Sequence, residues 1–150
     1  MAYITTTQLK QRLGDTLYAR LTDRINGTTA NDTLGQQIVD EAEALANSYL
    51  ARRYATPVSL AAHPELADLL EARVLDLAEH MAWRSSPMVS SIPDRVLFIA
   101  EEATRWFEAL GAGQVHLPAS SPPASRTAED DAARYKASPR AFTQDELDGL

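Results

Sequence analysis

The stretch over residues 32–54 limits the possible folds of this chain more than any other. At about 100° per residue, Leu34, Ile38, Val39, Ala42, Leu45, Ala46, Tyr49 and Leu50 fall on one broad arc. Gln36, Asp40, Glu43 and Asn47 fall on the opposite arc. Asp32 or Thr33 is placed to cap the start, and Thr56-Pro57 to stop the helix, because the residue before a proline is pushed out of the α region. An apolar arc this wide, broader than a coiled-coil seam, predicts a scaffold helix packed on more than one neighbour. Arg53 breaks the pattern by lying along the apolar arc, where it must snorkel outward or meet a carboxylate.

Shorter signals surround this helix. Residues 5–13 predict a short helix, with Thr5 and Gln8 as a capping box, Leu9 and Leu13 on one face, and Gly14 just past its end. Asp15 is placed to cap a second short helix with Leu17 and Leu21 inward. The polar run over residues 22–32 carries Asp23, Asn26, Gly27, Asn31 and Asp32. It lacks the alternating carboxylates and closing glutamate of a calcium loop, so turn and cap use is its reading. Residues 57–63 read as a linker, and Pro64 suits the first position of the next helix. That helix runs to about Trp83 and buries Leu66, Leu69, Leu70, Val74, Leu77, Ala78 and Met81, with Arg73 and His80 at its margin. Asp76 and His80 lie four apart, but two ligands on one helix do not make a metal site, and no His-Glu-x-x-His pattern occurs. Trp83 falls on the polar side, to fold under the loop over residues 85–93 or to meet a partner.

A last long helix is expected from Pro93-Asp94, with proline in its first turn, to Leu110, ended by Gly111. It buries Val96, Ile99, Ala100, Ala103, Trp106, Phe107 and Leu110, and leaves Phe98 outside near Arg105. Trp83 and Phe98 together suggest a subunit contact, since aromatics are enriched at interface centres. Residues 114–117 alternate as a short strand or extended arm. Residues 119–125 are rich in Ala, Ser and Pro and read as linker. Beyond them Tyr135, Phe142, Leu147 and Leu150 are isolated anchors in a polar segment, either an arm that orders on a partner or a mobile end. The expected fold is mainly α: a small bundle of three long and two short helices over residues 1–118, and an extended C-terminal arm over 119–150.

Composition narrows function. The 150 residues suit one domain, and the absence of cysteine excludes disulfides, thiolate zinc sites and cysteine nucleophiles. The first residues do not read as a secretory signal, and no apolar run approaches the ~20 residues of a membrane span. Fourteen basic against 21 acidic residues, a net charge of −7, argues against a nucleic-acid grip but suits a surface that DNA slides past. No Gly-x-Ser-x-Gly, P-loop or spaced His/carboxylate cluster occurs, so neither catalysis nor a cofactor is expected.

The order of features also resembles a known family. It is carried by the opening Met1-Ala2-Tyr3-Ile4-Thr5, Leu9-x-x-x-Leu13-Gly14, Leu21-Thr22-Asp23, the helix end Tyr49-Leu50-Ala51-Arg52-Arg53-Tyr54-Ala55-Thr56-Pro57, and Ser138-Pro139-Arg140-Ala141-Phe142-Thr143. Together they resemble the small head-to-tail connector (adaptor) proteins of Mu-like bacteriophages. The resemblance implies a virion neck protein, assembled in the host cytoplasm as a ring of such subunits, by family pattern twelve, between the portal and a downstream stopper or tail protein. It further implies that DNA passes through without specific binding and that the C-terminal arm docks on a partner. On that reading Arg53, Trp83 and Phe98 face adjacent subunits, and Tyr135, Arg140, Phe142 and Leu147 belong to the docking arm. The competing classes are a β-rich stopper-type completion protein and a sequence-tolerant DNA-binding helical module.

Overall fold

The computed structural model describes residues 2–59 and 64–115, with backbone alone for 64–66. Among these residues there are five helices and no strand. They are α1 (Thr6–Leu13), α2 (Asp15–Thr22), α3 (Asp32–Leu50), α4 (Pro64–Ser85) and α5 (Asp94–Ala112). This is the expected pair of short helices followed by three long ones. The expected arm over 119–150, and with it Tyr135, Arg140, Phe142 and Leu147, lies outside the described residues.

The three long helices form an up-down-up bundle. Tyr49 stacks on Phe107 at 6.4 Å and Leu45 faces Ala100 and Thr104, so α3 and α5 run the same way. Helix α4 returns between them, and α1 and α2 close the bundle against α3 and α4. The core draws on every helix: Leu9, Tyr18, Leu21, Ile38, Leu50, Leu70, Val74, Phe107 and Leu110 are all buried. Alanines 42, 46, 78, 82 and 103 are also buried, which lets the helix axes approach closely. The wide arc on α3 is thus used as expected, against several neighbours.

Several helix ends differ from the sequence reading, each for a visible reason. The α1 capping box is present, with the Gln8 amide donating to Thr5 Oγ1 and the Thr5 amide to Gln8 Oε1. The cap of α3 is Asn31, whose Oδ1 accepts the Leu34 amide at 3.1 Å, rather than Asp32 or Thr33. Gly14 and not Asp15 occupies the N-cap of α2, with no side-chain cap. Helix α3 stops at Leu50, not beside Pro57. The amides of Arg53 and Tyr54 turn back to the Leu50 carbonyl, and that turn lets Tyr54 and Val58 enter the core. Pro93 is the N-cap of α5 rather than a residue of its first turn. Helix α5 runs past Gly111 to Ala112, and Gly113, at φ 77° in the left-handed region, ends it. Gly111 instead permits close packing, since a Cβ there would lie 2.8 Å from the Tyr49 carbonyl.

Candidate functional site

Two sets of polar contacts, neither anticipated by helical periodicity, hold the bundle in register. Glu43 and Asn47 sit on the arc expected to face solvent, yet the N-terminal segment covers them. Glu43 Oε1 accepts the amides of Tyr3 and Ile4, and Asn47 Oδ1 accepts the Tyr3 hydroxyl at 2.7 Å. The same hydroxyl accepts the Val58 amide at 2.8 Å, tying both ends of the first half together. Burial raises the Tyr3 pKa, opposed by the Val58 amide and reinforced by the Glu43 charge.

The second set is ionic. Arg12 on α1 donates through Nε to Glu79 at 2.8 Å and through Nη2 to Asp76. Glu79 is 2% exposed and also accepts from Arg95 of α5 at 2.9 Å, while Arg73 reaches the other Asp76 oxygen at 3.5 Å. Burial works against the Arg12 charge, but the Glu79 hydrogen bond and the two carboxylates keep its pKa raised. The two acids thus clamp three helices and are occupied by arginines. Asp76 faces α1, whereas His80 lines a groove beside α3 and α5, so the two do not converge. Among the described residues no three His, Asp or Glu side chains are grouped to hold a metal ion. Burial, then the charge of Arg84, lowers the His80 pKa below its ordinary 6.5.

The surface offers two features for recognition. The groove is about 420 Å³ and crosses the three long helices. Leu45, Leu77, Met81, Leu97 and Ala100 line it, with His80, Arg84, Glu101 and Arg105 around them. Leu97 and Phe98 stand exposed at 39% and 60% on α5. The other feature is the loop after α2. Asp23 accepts four backbone amides, those of Ile25 (2.9 Å), Asn26 (3.2 Å), Thr28 (3.0 Å) and Thr29 (3.2 Å). These bonds hold its pKa well below the usual carboxylate range. The turn-and-cap reading of this loop holds. Its consequence, a fixed display of Ile25 at 81% exposure, was not legible from residue types.

Among the described residues, the three expected at an interface, Arg53, Trp83 and Phe98, do not form one patch. Phe98 is exposed as expected. Arg53 lies at the other end of α5, its guanidinium against Gly113, where a Cβ would come within 1.7 Å of Nη1. Fifteen residues of helix, about 22 Å, separate Phe98 from Gly113. Trp83 takes the first of its two expected positions: it packs on the core and lines a pocket with Leu17, Arg20, Val89, Ser91 and Pro93. Its indole Nε1 is buried without an acceptor. Leu69, expected inside, is 41% exposed.

No curated protein matches the chain. No helix among the described residues is long and apolar enough to cross a membrane. The sequence model of the family described as Bacteriophage Mu, Gp36 matches residues 3–136, which span every described helix and most of the chain. The chain therefore belongs to the bacteriophage Mu Gp36 family, and is a mainly α-helical phage protein.

Proposed function

We propose that this protein is a structural component of the virion neck, an adaptor that forms a ring between the portal at the capsid vertex and the downstream stopper or tail protein. Membership of a Mu phage family is the observation that carries this reading. A wholly helical described fold favours an adaptor over the β-rich stopper class. The net charge of −7 suits a channel wall that lets DNA pass without holding it, and disfavours the DNA-binding alternative. Its work is mechanical rather than catalytic: a rigid bundle presents apolar surface on α5, and ring closure lets weak contacts hold together at high effective concentration.

Electron microscopy and native mass spectrometry of the protein with and without its portal test this. A ring of this subunit seated on the portal is the expected result. A chain that stays monomeric in the portal's presence and is absent from the neck of particles defeats the reading. Retarded duplex DNA with a steep salt dependence would favour the DNA-binding module instead.

A further inference from the structure

We propose that the groove across α3, α4 and α5 receives Ile25 from a neighbouring copy of this chain, giving a head-to-tail contact. The inference rests on the ring reading above and names the surfaces that would build the ring.

Ile25 is the most exposed large apolar side chain among the described residues, at 81%. Four amide bonds to Asp23 fix the loop that carries it, so little chain entropy remains to be lost when it docks. The groove is apolar at its centre and no described residue of its own subunit fills it. Its own Ile25 cannot reach it. That side chain lies beside Leu34 and Gln37, and eight residues, about 12 Å of helix, separate Gln37 from Leu45 at the groove.

Charge selects the same partner. The groove carries Arg84 and Arg105 against one acid, Glu101. Arg105 meets Glu101 only at 3.5 Å on an exposed surface, and no carboxylate pairs with Arg84 among the described residues. The loop itself pairs one acid, Asp23, with one base, Arg24, and is flanked by Arg20 and Asp32, so it brings no positive excess to that groove. On a chain of net charge −7 copies repel on average, and a groove with a basic excess is the surface at which a second acidic copy is accepted rather than repelled. Because knob and groove are different patches, the contact is heterologous, and such contacts generate rings when the rotation closes.

The full chain has no cysteine, so introduced thiols are the only ones. Ile25→Cys mixed with Leu97→Cys and a short bifunctional maleimide should give crosslinked dimers several-fold above either variant alone. A chain carrying both changes should give a ladder of oligomers. Ile25→Cys mixed with Ala44→Cys, an exposed position that is not part of the groove, sets the background. Crosslinking no better than that background overturns the proposal. So does a Leu97→Cys that links to Phe142→Cys in preference to Ile25→Cys, which would make the C-terminal segment the occupant. Ile25→Asp, at a site too exposed to disturb folding, should weaken assembly by at least about tenfold, read by native mass spectrometry at matched concentrations. If Ile25→Asp assembles as well as the unmodified chain, this contact is wrong and the ring stands. If the unmodified chain forms no ring alone or on the portal, both fall.

Discussion

At the residue scale, the positions that matter most are those where two helices need the same space or the same charge. Gly35 sits inside α3, where alanine would ordinarily favour the helix by about 1 kcal/mol. A Cβ there would lie 1.9 Å from the Tyr18 hydroxyl oxygen and 2.8 Å from Thr6 Cγ2. Overpacking of this kind costs about 1–3 kcal/mol, so Gly35→Ala should lower the midpoint of chemical denaturation despite its helix propensity. Adding Tyr18→Phe removes the nearest atom and should recover part of the loss. The same hydroxyl has its pKa pushed up to about 12, by burial and then by Asp32. Glu79 gives a second contrast. Its carboxylate is 3% exposed and bridges Arg12 and Arg95, so Glu79→Ala should cost about 2–3 kcal/mol. Arg95 is 73% exposed, so Arg95→Ala should cost under about 1 kcal/mol by the same measurement. Neither Gly35 nor the ionic clamp was legible in the sequence. Periodicity places a residue on a face of its own helix but does not say what stands opposite, and Arg12 and Glu79 are 67 positions apart.

At the scale of elements, what could be read was whatever depends on local sequence. The apolar arc of α3, the Thr5–Gln8 box and the turn chemistry of residues 22–32 emerged as expected, because each is decided within a few residues. Helix ends were displaced where tertiary packing decided them, as at Leu50, where Tyr54 and Val58 are drawn into the core. Glu43 and Asn47 show the same limit: polar by type and outward by the wheel, they are covered because the N-terminal segment needs acceptors. The candidate groove depends on three helices at once, so the periodicity of any one of them does not reveal it; His80, placed at the margin of α4 beforehand, does line it. The margin of α4 carries a pH dependence. Folding lowers the His80 pKa, so the unfolded chain binds more protons below 6.5. Stability is therefore fully present above pH 6.5 and falls as pH drops below it. His80→Gln should flatten that part of a denaturation-versus-pH profile while leaving the profile above pH 7 unchanged.

For the whole molecule, the decisive division is between what holds the fold and what is proposed to meet partners. Every described member of the core cluster, from Tyr3 to Leu110, lies before the proposed arm, and so do the ionic clamp and the Tyr3 bonds. Removing residues 119–150 therefore leaves every described member of the core in place. The shortened chain should keep the helical circular dichroism of residues 2–115 and unfold cooperatively at nearly the same temperature. The proposed docking anchors Tyr135, Arg140, Phe142 and Leu147 all leave with the deletion. Pull-down on the portal should then fail although folding survives, because the groove and the Ile25 loop that remain are assigned to contacts between copies. Contact between copies should persist, so the Ile25→Cys and Leu97→Cys pair built into the shortened chain should still crosslink. Undiminished portal binding by the shortened chain would move the portal contact onto the bundle itself, with the exposed face of α5 around Leu97 and Phe98 as the surface to mutate next.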